Sequence, residues 1–485
     1  MGHNMQRNTK NKGIVLIILL VITAVLSVTM ASCVRRGERQ EEEEVIFEQS
    51  GEESVDTSEE TTVSTPEGHT EMPVIKDNKN MTADIVVIAG TCEEGAIVEI
   101  TGGEEDVTVE SRNGYFIAQI KLEKTSKTML KATALVEGKE KSEPRVFYAE
   151  YLATAEKRID GYGVSVGTHS QLYFDTYLDN YIGMSLLTET QLKNFRSYVN
   201  GKVSTIESKA KGKPAELVYV LIPDVTSLYP DIFPEGTERK TYTTKYQQVA
   251  KELANTSAIT IDMYDILAAA RDAGEYEIFR KNDSHLTEYG AYLVYEQIAN
   301  TLALNFPDAK ARTLEEFTEK MVLSEGGDLM SYIGINKEHY KENVLDLIPN
   351  ADINLDIGFS DSENISVNIS DIRKYVSDTD YSMYVTPASS EVSSSEKIVG
   401  INDRFVVATD RENLPSALIY RDNAAFPMLD ILAERFNKVM IAKSEQFGIN
   451  FTDANRYKAE GRDIVDYIIV IVSESNLDKI LSDPS

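Results

Sequence analysis

The sequence predicts an α/β fold in which a layered α/β/α domain follows a small all-β sandwich. The chain has 485 residues, which is too long for one ordinary core. Near residue 150 the hydrophobic pattern changes from short alternating runs to longer apolar runs separated by amphipathic helices. Length and the change of period together divide the folded part into residues 80–148 and 150–485, which we expect to fold as separate cores.

Residues 1–33 have the features of an export signal. A basic start, "MQRNTKNK", precedes the apolar run "GIVLIILLVITAVLSVTM", which leads into "ASC". The tetrapeptide "MASC" resembles a lipoprotein box, so Cys33 is the predicted lipidation site. The run is also long enough for an uncleaved membrane anchor, because about 20 apolar residues span a bilayer. In both cases we expect an extracytoplasmic protein held to the membrane at the cell surface.

Residues 34–79 are predicted to be a disordered acidic linker. Within them, "RQEEEEVIFEQSGEESVDTSEETT" contains too little apolar surface to offset the entropy of an ordered chain.

The net charge of −30 argues against nucleic acid as a partner, since such partners need clustered Lys and Arg. Cys92 is the only other cysteine, so a lipidated Cys33 would leave it without a disulfide partner.

Residues 80–148 predict a small β-sandwich. Runs such as "VTVES" and "GYFIAQIKL" are short, alternate in polarity and are separated by glycines and charged turns. The segment "VIAGTCEEGAIVEITGG" resembles bacterial Ig-like modules. This resemblance implies a spacer or a glycan-contacting module, and no residue in it forms a plausible catalytic site.

Residues 150–485 predict strands buried on both faces of a parallel sheet, with helices between them. The helix "LTEYGAYLVYEQIANTL" has Thr287 placed to cap it and Glu288 in its first turn. In such sheets ligands bind beyond the carboxyl ends of the strands. The predicted strands are "AELVYVLIPD" (215–224), "SALIYRD" (416–422), "KVMIA" (438–442) and "DYIIVIVSES" (466–475), and the buried helix stripe is Ala291, Val294, Tyr295, Ile298 and Leu302.

The loop before this helix contains an acid and an imidazole two positions apart, Asp283 and His285. Alone, the pair is a weak signal, because polar triplets before helices are common for capping reasons and His285 can be a buried polar residue satisfied by a carbonyl. With a nucleophile and a fold to hold it, the pair would supply a base and its orienter. The sequence has no His pair at metal-ligand spacing and no Gly-rich phosphate loop, so we expect neither a metal nor another cofactor.

Several blocks of residues 150–485 stand in the order found in the SGNH hydrolase-like proteins of alginate O-acetylation, the AlgX/AlgJ group and its DHHW-type relatives. The resemblance implies O-acetyltransferase or acetylesterase chemistry on a surface polysaccharide, with a membrane O-acyltransferase as a further partner. The blocks are "VSVGTHSQLYFDTYLDNYIG", "VYVLIPDVTSLYPDIFP", "FRKNDSHLTEYGAYLVYEQI", "GGDLMSYIGI", "LPSALIYRDNAAFPMLDILAERFNKVMIA" and "DYIIVIVSESNL".

In that family an Asp-x-His pair activates a serine in the turn after a later strand. Asp283 and His285 match the pair, although Leu286 replaces the usual Trp. The later turn reads Arg421-Asp422-Asn423, so Asn423 occupies the position of the family nucleophile and its two neighbours are the predicted binding residues. An amide side chain cannot lose a proton to His and attack a carbonyl.

Three interpretations of Asn423 follow, and we favour them in this order. The site is degenerate, or His285 activates water while Asn423 donates a hydrogen bond to the oxyanion, or another hydroxyl, Ser416 or Ser170, is the nucleophile. Ser416 is disfavoured because it lies at the start of its strand, at the opposite sheet edge.

The competing function class for the whole protein is a non-catalytic glycan-binding or scaffolding lipoprotein. Residues 350–400 are predicted to form either an added β element or a mobile lid.

Overall fold

The computed structural model describes residues 68–153, 158, 163–351, 354–359, 365–368, 376–377, 398–399, 404–409, 411–443 and 451–482. The expected signal or anchor, with Cys33, and the acidic stretch lie outside these residues. Among the residues described, no helix is long and apolar enough to cross a membrane. Those from residue 68 onward belong to one compact unit.

Two antiparallel sheets enclose the first core, which contains Val86, Phe116, Val98 and Leu130. Their strand orders are β1-β2-β5 and β4-β3-β6-β7. The all-β sandwich is therefore present, while its Ig-like identity stays a prediction. Its strands are β1 (Val74–Asn80), β2 (Ile85–Thr91), β3 (Ile97–Thr101), β4 (Val107–Glu110), β5 (Tyr115–Lys121), β6 (Thr128–Leu135) and β7 (Arg145–Ala149).

Strand β1 begins inside the predicted acidic linker. It pairs with β2 from Val74 opposite Thr91 to Asn80 opposite Val86, so the linker boundary at residue 79 is wrong. The reason is that β1 is an edge strand in which only Asp77 is buried. Edge strands present polar side chains outward and therefore show a weak hydrophobic alternation.

The second part of the chain is built on an eight-stranded sheet of order β11-β10-β21-β19-β20-β18-β14-β15. The first five strands in this order are parallel, and the last three join as antiparallel neighbours. The strands are β8 (Val164–Val166), β9 (Leu172–Phe174), β10 (Glu216–Ile222), β11 (Ile259–Asp262), β12 (Phe317–Ser324), β13 (Glu342–Pro349), β14 (Asn354–Phe359), β15 (Ile365–Asn368), β16 (Val376–Ser377), β17 (Ile398–Val399), β18 (Arg404–Ala408), β19 (Ser416–Arg421), β20 (Lys438–Lys443) and β21 (Tyr467–Ser473).

All four predicted parallel strands are confirmed, as β10, β19, β20 and β21. Alternate residues of these strands enter two different cores: Val218 and Ile419 face one, while Tyr219 and Leu418 face the other. Within residues 350–400, the described segments from residue 354 onward are strands, and two of them, β14 and β15, extend the main sheet. The helices are α1 (Asp175–Ile182), α2 (Glu189–Lys209), α3 (Val225–Leu228), α4 (Lys245–Leu253), α5 (Tyr264–Ala273), α6 (Glu288–Ala303), α7 (Asp328–Tyr332), α8 (Leu429–Ala433) and α9 (Phe451–Arg456).

Helices cover both sheet faces, which confirms the layered α/β/α prediction. Helices α5 and α6 pack on one face and α2 and α4 on the other. The five stripe residues predicted for α6 are all buried, and Thr287 caps its first turn by accepting a hydrogen bond from the Gly290 N–H. Short 3-10 helices lie at Pro230–Ile232, Pro307–Ala309, Leu314–Glu316, Lys337–His339, Asn423–Met428 and Glu474–Ile480.

The sandwich also shares an apolar cluster with the α/β part. The Tyr115 ring lies edge-on to Tyr340, with the ring centroids 5.4 Å apart, and the Tyr340 hydroxyl donates to Asp77 Oδ2 at 2.7 Å. A shared cluster is not the arrangement expected of two separate cores. Its fully or nearly fully buried members are Met81, Val87, Ala89, Tyr115 and Ile117 from the sandwich and Val164, Leu172, Leu329, Met330, Ile333, Ile335 and Tyr340 from the α/β part.

Candidate active site

The loop before α6 is held in place by Asn282, the residue that precedes Asp283. Asn282 has a left-handed backbone with φ of 52°, a conformation that asparagine tolerates better than most residues. Its side chain accepts from the Leu172 N–H and donates to the Ser170 carbonyl at 3.0 Å. These contacts hold Asn282 in place and so fix the direction in which Asp283 enters the buried interior.

Asp283 and His285 form a buried hydrogen-bonded pair. Asp283 Oδ1 lies 2.7 Å from His285 Nδ1 and accepts the His285 backbone N–H at 3.0 Å. Asp283 Oδ2 accepts the backbone N–H of Asp328 at 3.1 Å. This is the geometry of an acid that orients an imidazole, because Nδ1 facing the carboxylate makes Nε2 the nitrogen that can take a proton.

The environment keeps Asp283 charged. Burial alone would raise its pKa, but the charge and hydrogen bond of His285 outweigh burial, and Arg280 and the Asp328 N–H add to them, so the pKa of Asp283 lies well below its usual range. Arg280 Nη1 is 3.7 Å from Asp283 Oδ2, and its Nη2 lies 3.3 Å from Glu342 Oε1. A charged carboxylate, itself held by Arg280, therefore faces the imidazole of His285.

Asn423 lies just past the carboxyl end of β19, as the sequence predicts, at the start of a 3-10 helix. Asp422 caps that helix: its Oδ1 accepts the Ala424 N–H at 3.0 Å, and its Oδ2 accepts from Ser473 and Asn476. The buried Oδ1 of Asn423 receives no hydrogen bond from the described residues. The turn is therefore rigid at Asp422, while the amide oxygen beside it is unsatisfied.

His285 and Asn423 line one cleft of about 670 Å³ at the carboxyl edge of the sheet. The structure thus brings together the two parts of the site that are about 140 residues apart in sequence, in the position where open α/β sheets bind ligands. The cleft also receives Lys443, Ser473 and Ser475 from the ends of neighbouring strands. Aromatic rings of Phe174, Tyr177 and Tyr332 complete its wall.

Three other predicted residues have positions unlike those of ligand-binding or nucleophilic groups. Arg421 has no exposed surface, and its guanidinium lies 5.3 Å from the Phe426 ring centre, so the predicted binding role does not fit its position. Ser416 is the first residue of β19 and is hydrogen-bonded to Asp466 at the opposite sheet edge. Ser170 is buried and donates to the Glu110 carbonyl.

Asp328, which follows Gly326-Gly327 at the start of α7, is a site residue that was not predicted from sequence. Asp328 accepts the Ser284 N–H and hydroxyl, and burial together with the Asp283 charge raises the pKa of Asp328 to about 7. Asp328 lies in the block "GGDLMSYIGI" that contributes to the family resemblance, but an acid at a helix start is common for electrostatic reasons and was given no role.

Asp283, His285 and Asp328 are also the one group of described residues whose ligand atoms lie close enough to hold a metal, within 4.8 Å of one another. Their carboxylate oxygens already accept the hydrogen bonds described above. Metal binding at these atoms would have to replace the contact between Asp283 and the imidazole. The donor set therefore fits acid–base chemistry better than metal coordination.

Comparison with known proteins finds similarity in the second part of the chain. Residues 198–353 match the family described as SGNH hydrolase-like domain, acetyltransferase AlgX. The probable alginate O-acetylase AlgJ of Pseudomonas fluorescens is 28% identical over 105 residues, which cover 22% of this chain and 26% of AlgJ. The chain thus aligns with about a quarter of the length of that relative.

Two solved structures resemble the chain with low identity. A DHHW family protein from Eubacterium siraeum is 15% identical, with a TM-score of 0.43, and the match covers 73% of this chain and 96% of that one. The O-acetyltransferase domain of Pseudomonas putida AlgJ is 13% identical, with a TM-score of 0.38, and the match covers 64% of this chain and 91% of the domain.

Proposed function

We propose, from the match of residues 198–353 to the SGNH hydrolase-like domain of AlgX, that the chain takes part in the O-acetylation of a surface polysaccharide through a site whose nucleophile position is silenced by Asn423. One observation carries the proposal. His285, which is held by the buried Asp283 with 2.7 Å between Nδ1 and Oδ1, lines the same cleft as Asn423. A base and its orienter are present, and the cleft that His285 lines also contains the amide of Asn423.

A binding role is the second candidate, and Asn423 itself favours it. An asparagine keeps hydrogen-bonding capacity in the cleft but cannot form an acyl-enzyme. The aromatic wall of Phe174, Tyr177 and Tyr332 provides flat apolar surface beside polar groups, as ligand clefts generally do. In this role the protein would hold a polysaccharide, or a membrane O-acyltransferase that modifies it, without turning over an ester.

The location that fits this function is the outside of the membrane, with the chain held by its N-terminus. The sequence features that support this are the basic start, the apolar run and Cys33. Intact-mass measurement of the protein from a native membrane tests the anchor. A mature chain starting at lipidated Cys33 supports a lipid anchor, and an unmodified Cys33 still joined to residues 13–30 supports a transmembrane one.

Restoring a hydroxyl tests the silenced site. In Asn423→Ser, the Ser Oγ would lose its proton to His285 and attack the acetyl carbonyl, and the ester C–O bond would break as the leaving alcohol takes that proton from His285. Water activated by His285 would then hydrolyse the acetyl-enzyme, which releases acetate and restores the serine. A general base contributes roughly 100- to 10,000-fold to rate. We therefore expect Asn423→Ser to release acetate from an activated ester well above wild type, and the gain to vanish when His285→Ala is added.

Asn423→Ala is the matched control, because it removes the same amide without supplying a nucleophile. A gain in Asn423→Ala equal to that in Asn423→Ser would show that loss of the amide, and not a new hydroxyl, is responsible. A wild type that already shows His285-dependent turnover, together with a folded Asn423→Ser that is no faster, would rule out the silenced-site proposal in favour of water or another nucleophile.

A further inference from the structure

Asp328 belongs to the site although it lies about 40 residues beyond His285 in sequence. We propose that Asp328 is a positioning residue of the acid–base site: it fixes the Ser284–His285 segment and places a second carboxyl group beside the imidazole. This inference deepens the proposed function and rests on it for its catalytic meaning. Its geometry, however, can be tested without any turnover.

Both carboxylate oxygens of Asp328 and its backbone N–H contact the loop that contains Asp283 and His285. Oδ1 accepts the Ser284 N–H at 2.9 Å and Oδ2 accepts the Ser284 hydroxyl at 2.8 Å. The Asp328 backbone N–H donates to Asp283 Oδ2 at 3.1 Å, and Asp328 Oδ2 is 3.8 Å from His285 Nδ1. Asp328 thus holds both Asp283 and Ser284, the two residues that precede His285.

The backbone that carries Asp328 has little freedom. A Cβ atom at Gly327 would lie 2.0 Å from the carbonyl oxygen of Asn282, so only glycine permits this close approach. The Leu329 N–H donates to that same carbonyl at 3.1 Å. Leu329 and Met330 are fully buried in the cluster shared with the sandwich. The contact between Asp328 and the loop is therefore fixed from both sides.

Among the described residues, Asp283 and His285 on the loop and the buried Tyr177 of α1 interact electrostatically with Asp328, and Arg280 contacts Asp283. Because Asp328 is only 6% exposed and lies near a charged carboxylate, its pKa is raised to about 7. A group that changes charge near neutral pH, 3.8 Å from the imidazole, is placed to set how readily His285 holds a proton.

The test is an NMR titration of the histidines in the full-length protein, using Asp328→Asn. This variant keeps a side-chain oxygen that can accept from Ser284 and removes the charge. We expect the His285 midpoint to move to lower pH by about half a pH unit or more, while the other histidines stay where they are. Asp328→Asn should also lower kcat, with little change in KM, in the Asn423→Ser background.

Asp466→Asn is the matched control. Asp466 Oδ2 accepts both the N–H and the hydroxyl of Ser416, each at 2.9 Å, so it repeats the Asp328 contacts at the opposite edge of the sheet. We expect Asp466→Asn to leave the His285 titration unmoved. An unchanged His285 midpoint in folded Asp328→Asn, or the same shift in Asp466→Asn, would overturn the proposal.

A second measurement needs no variant. The Ser284 amide donates to Asp328 and reports its charge, so the Ser284 amide and the His285 ring should share a titration step near the raised pKa of Asp328. Independent midpoints would overturn the proposal even if Asp328→Asn failed to fold. Inactive Asn423→Ser with coupled Ser284 and His285 signals would instead remove the proposed catalysis and keep the role of Asp328.

Discussion

Two buried carboxyl groups lie beneath the carboxyl edge of the sheet, Asp224 after β10 and Glu474 after β21. Glu474 Oε2 accepts the Asp224 N–H at 3.1 Å and the Ser227 hydroxyl at 2.6 Å, whereas Glu474 Oε1 and Asp224 Oδ2 have no hydrogen-bond partner among the described residues. Burial raises the pKa of both groups, and repulsion from Glu474 raises the pKa of Asp224 further. The folded protein therefore holds protons here that the unfolded chain would release.

This arrangement predicts that Glu474→Gln raises the free energy of unfolding by an amount that depends on pH. A raised folded-state pKa means that the stability linked to Glu474 is fully present below its ordinary value of 4.5 and is lost as pH rises through the raised value. The neutral amide avoids that loss. We expect Glu474→Gln to raise the free energy of unfolding by about 1 to 3 kcal/mol at about pH 8 and to change it little at about pH 4.

Thermal and urea unfolding at both pH values measure this difference. The exposed Glu235→Gln serves as the control for removing one negative charge from an acidic protein. An equal gain in Glu235→Gln would assign the effect to net charge, and a gain of the same size at both pH values would contradict the linkage to Glu474.

At the scale of elements, the helix α7 and the loop at Asn282 approach too closely for any side chain at Gly327. The Cβ of an alanine there would fall 2.0 Å from the Asn282 carbonyl oxygen and 2.4 Å from that of Lys281, both of them backbone atoms that cannot swing away. We expect Gly327→Ala to destabilise the protein by more than about 2 kcal/mol, because relief requires the two backbones to separate.

Gly201 is the internal comparison for this prediction. It lies exposed in α2, and a Cβ atom added there meets nothing within 4 Å. Gly201→Ala should therefore stabilise the protein by about 0.5 to 1 kcal/mol through helix propensity. Denaturant unfolding of both variants measures the contrast, and a Gly327→Ala protein as stable as Gly201→Ala would show that the close approach is absent.

The elements themselves were largely predictable because their signals are local. Helix α6 and strands β10, β19, β20 and β21 each carry a period or an apolar run that marks them without reference to the rest of the chain. The edge strand β1 was assigned to the linker because its outward side chains hide the alternation. An added β element was one of two alternatives for the region of β14 and β15, but the antiparallel pairing of β14, β15 and β18 was not predicted, since pairing between distant strands leaves no mark in either strand alone.

The site was predictable in part for the same reason. Asp283 and His285 are two residues apart, and Asn423 follows a recognisable strand, so each half could be placed at the sheet edge from sequence. Asp328 could not be assigned to the site, because its contact with Ser284 joins the start of α7 to a loop 44 residues earlier in the chain. The burial of Arg421 could not be predicted from sequence either, since its neighbours in the turn are polar.

At the scale of the whole molecule, the sandwich and the acid–base loop are physically joined. The turn before β5 reaches the loop through Asn113, which contacts Lys281 at 3.1 Å and Glu342 at 3.4 Å. Tyr115 adds a contact from its hydroxyl to Asn282 at 3.3 Å. The sandwich is therefore more than a spacer, because it covers the segment that leads into Asp283.

This joint predicts different behaviour for the two parts when each is expressed alone. Residues 68–150 keep their own core, which includes Val98, Phe116 and Leu130, and should fold. Residues 151–485 would expose Leu172, Leu329 and Met330, which the sandwich now buries. Since burying one such side chain contributes roughly 1.5 to 3 kcal/mol, we expect the second fragment to lose several kcal/mol of stability and to bind an apolar dye.

Comparison of residues 68–485 with residues 151–485 by thermal unfolding and dye binding tests this expectation. Because Asn282 also loses the Tyr115 contact, the His285 signal in the fragment should differ from that in the longer chain even below the unfolding transition. Met330→Ser in residues 68–485 is the control for the cluster alone: it weakens the apolar contact while leaving Asn113 and Tyr115 in place. If residues 151–485 unfold at the same temperature as residues 68–485 and bind no dye, the two parts are independent, as the change of period at residue 150 first suggested.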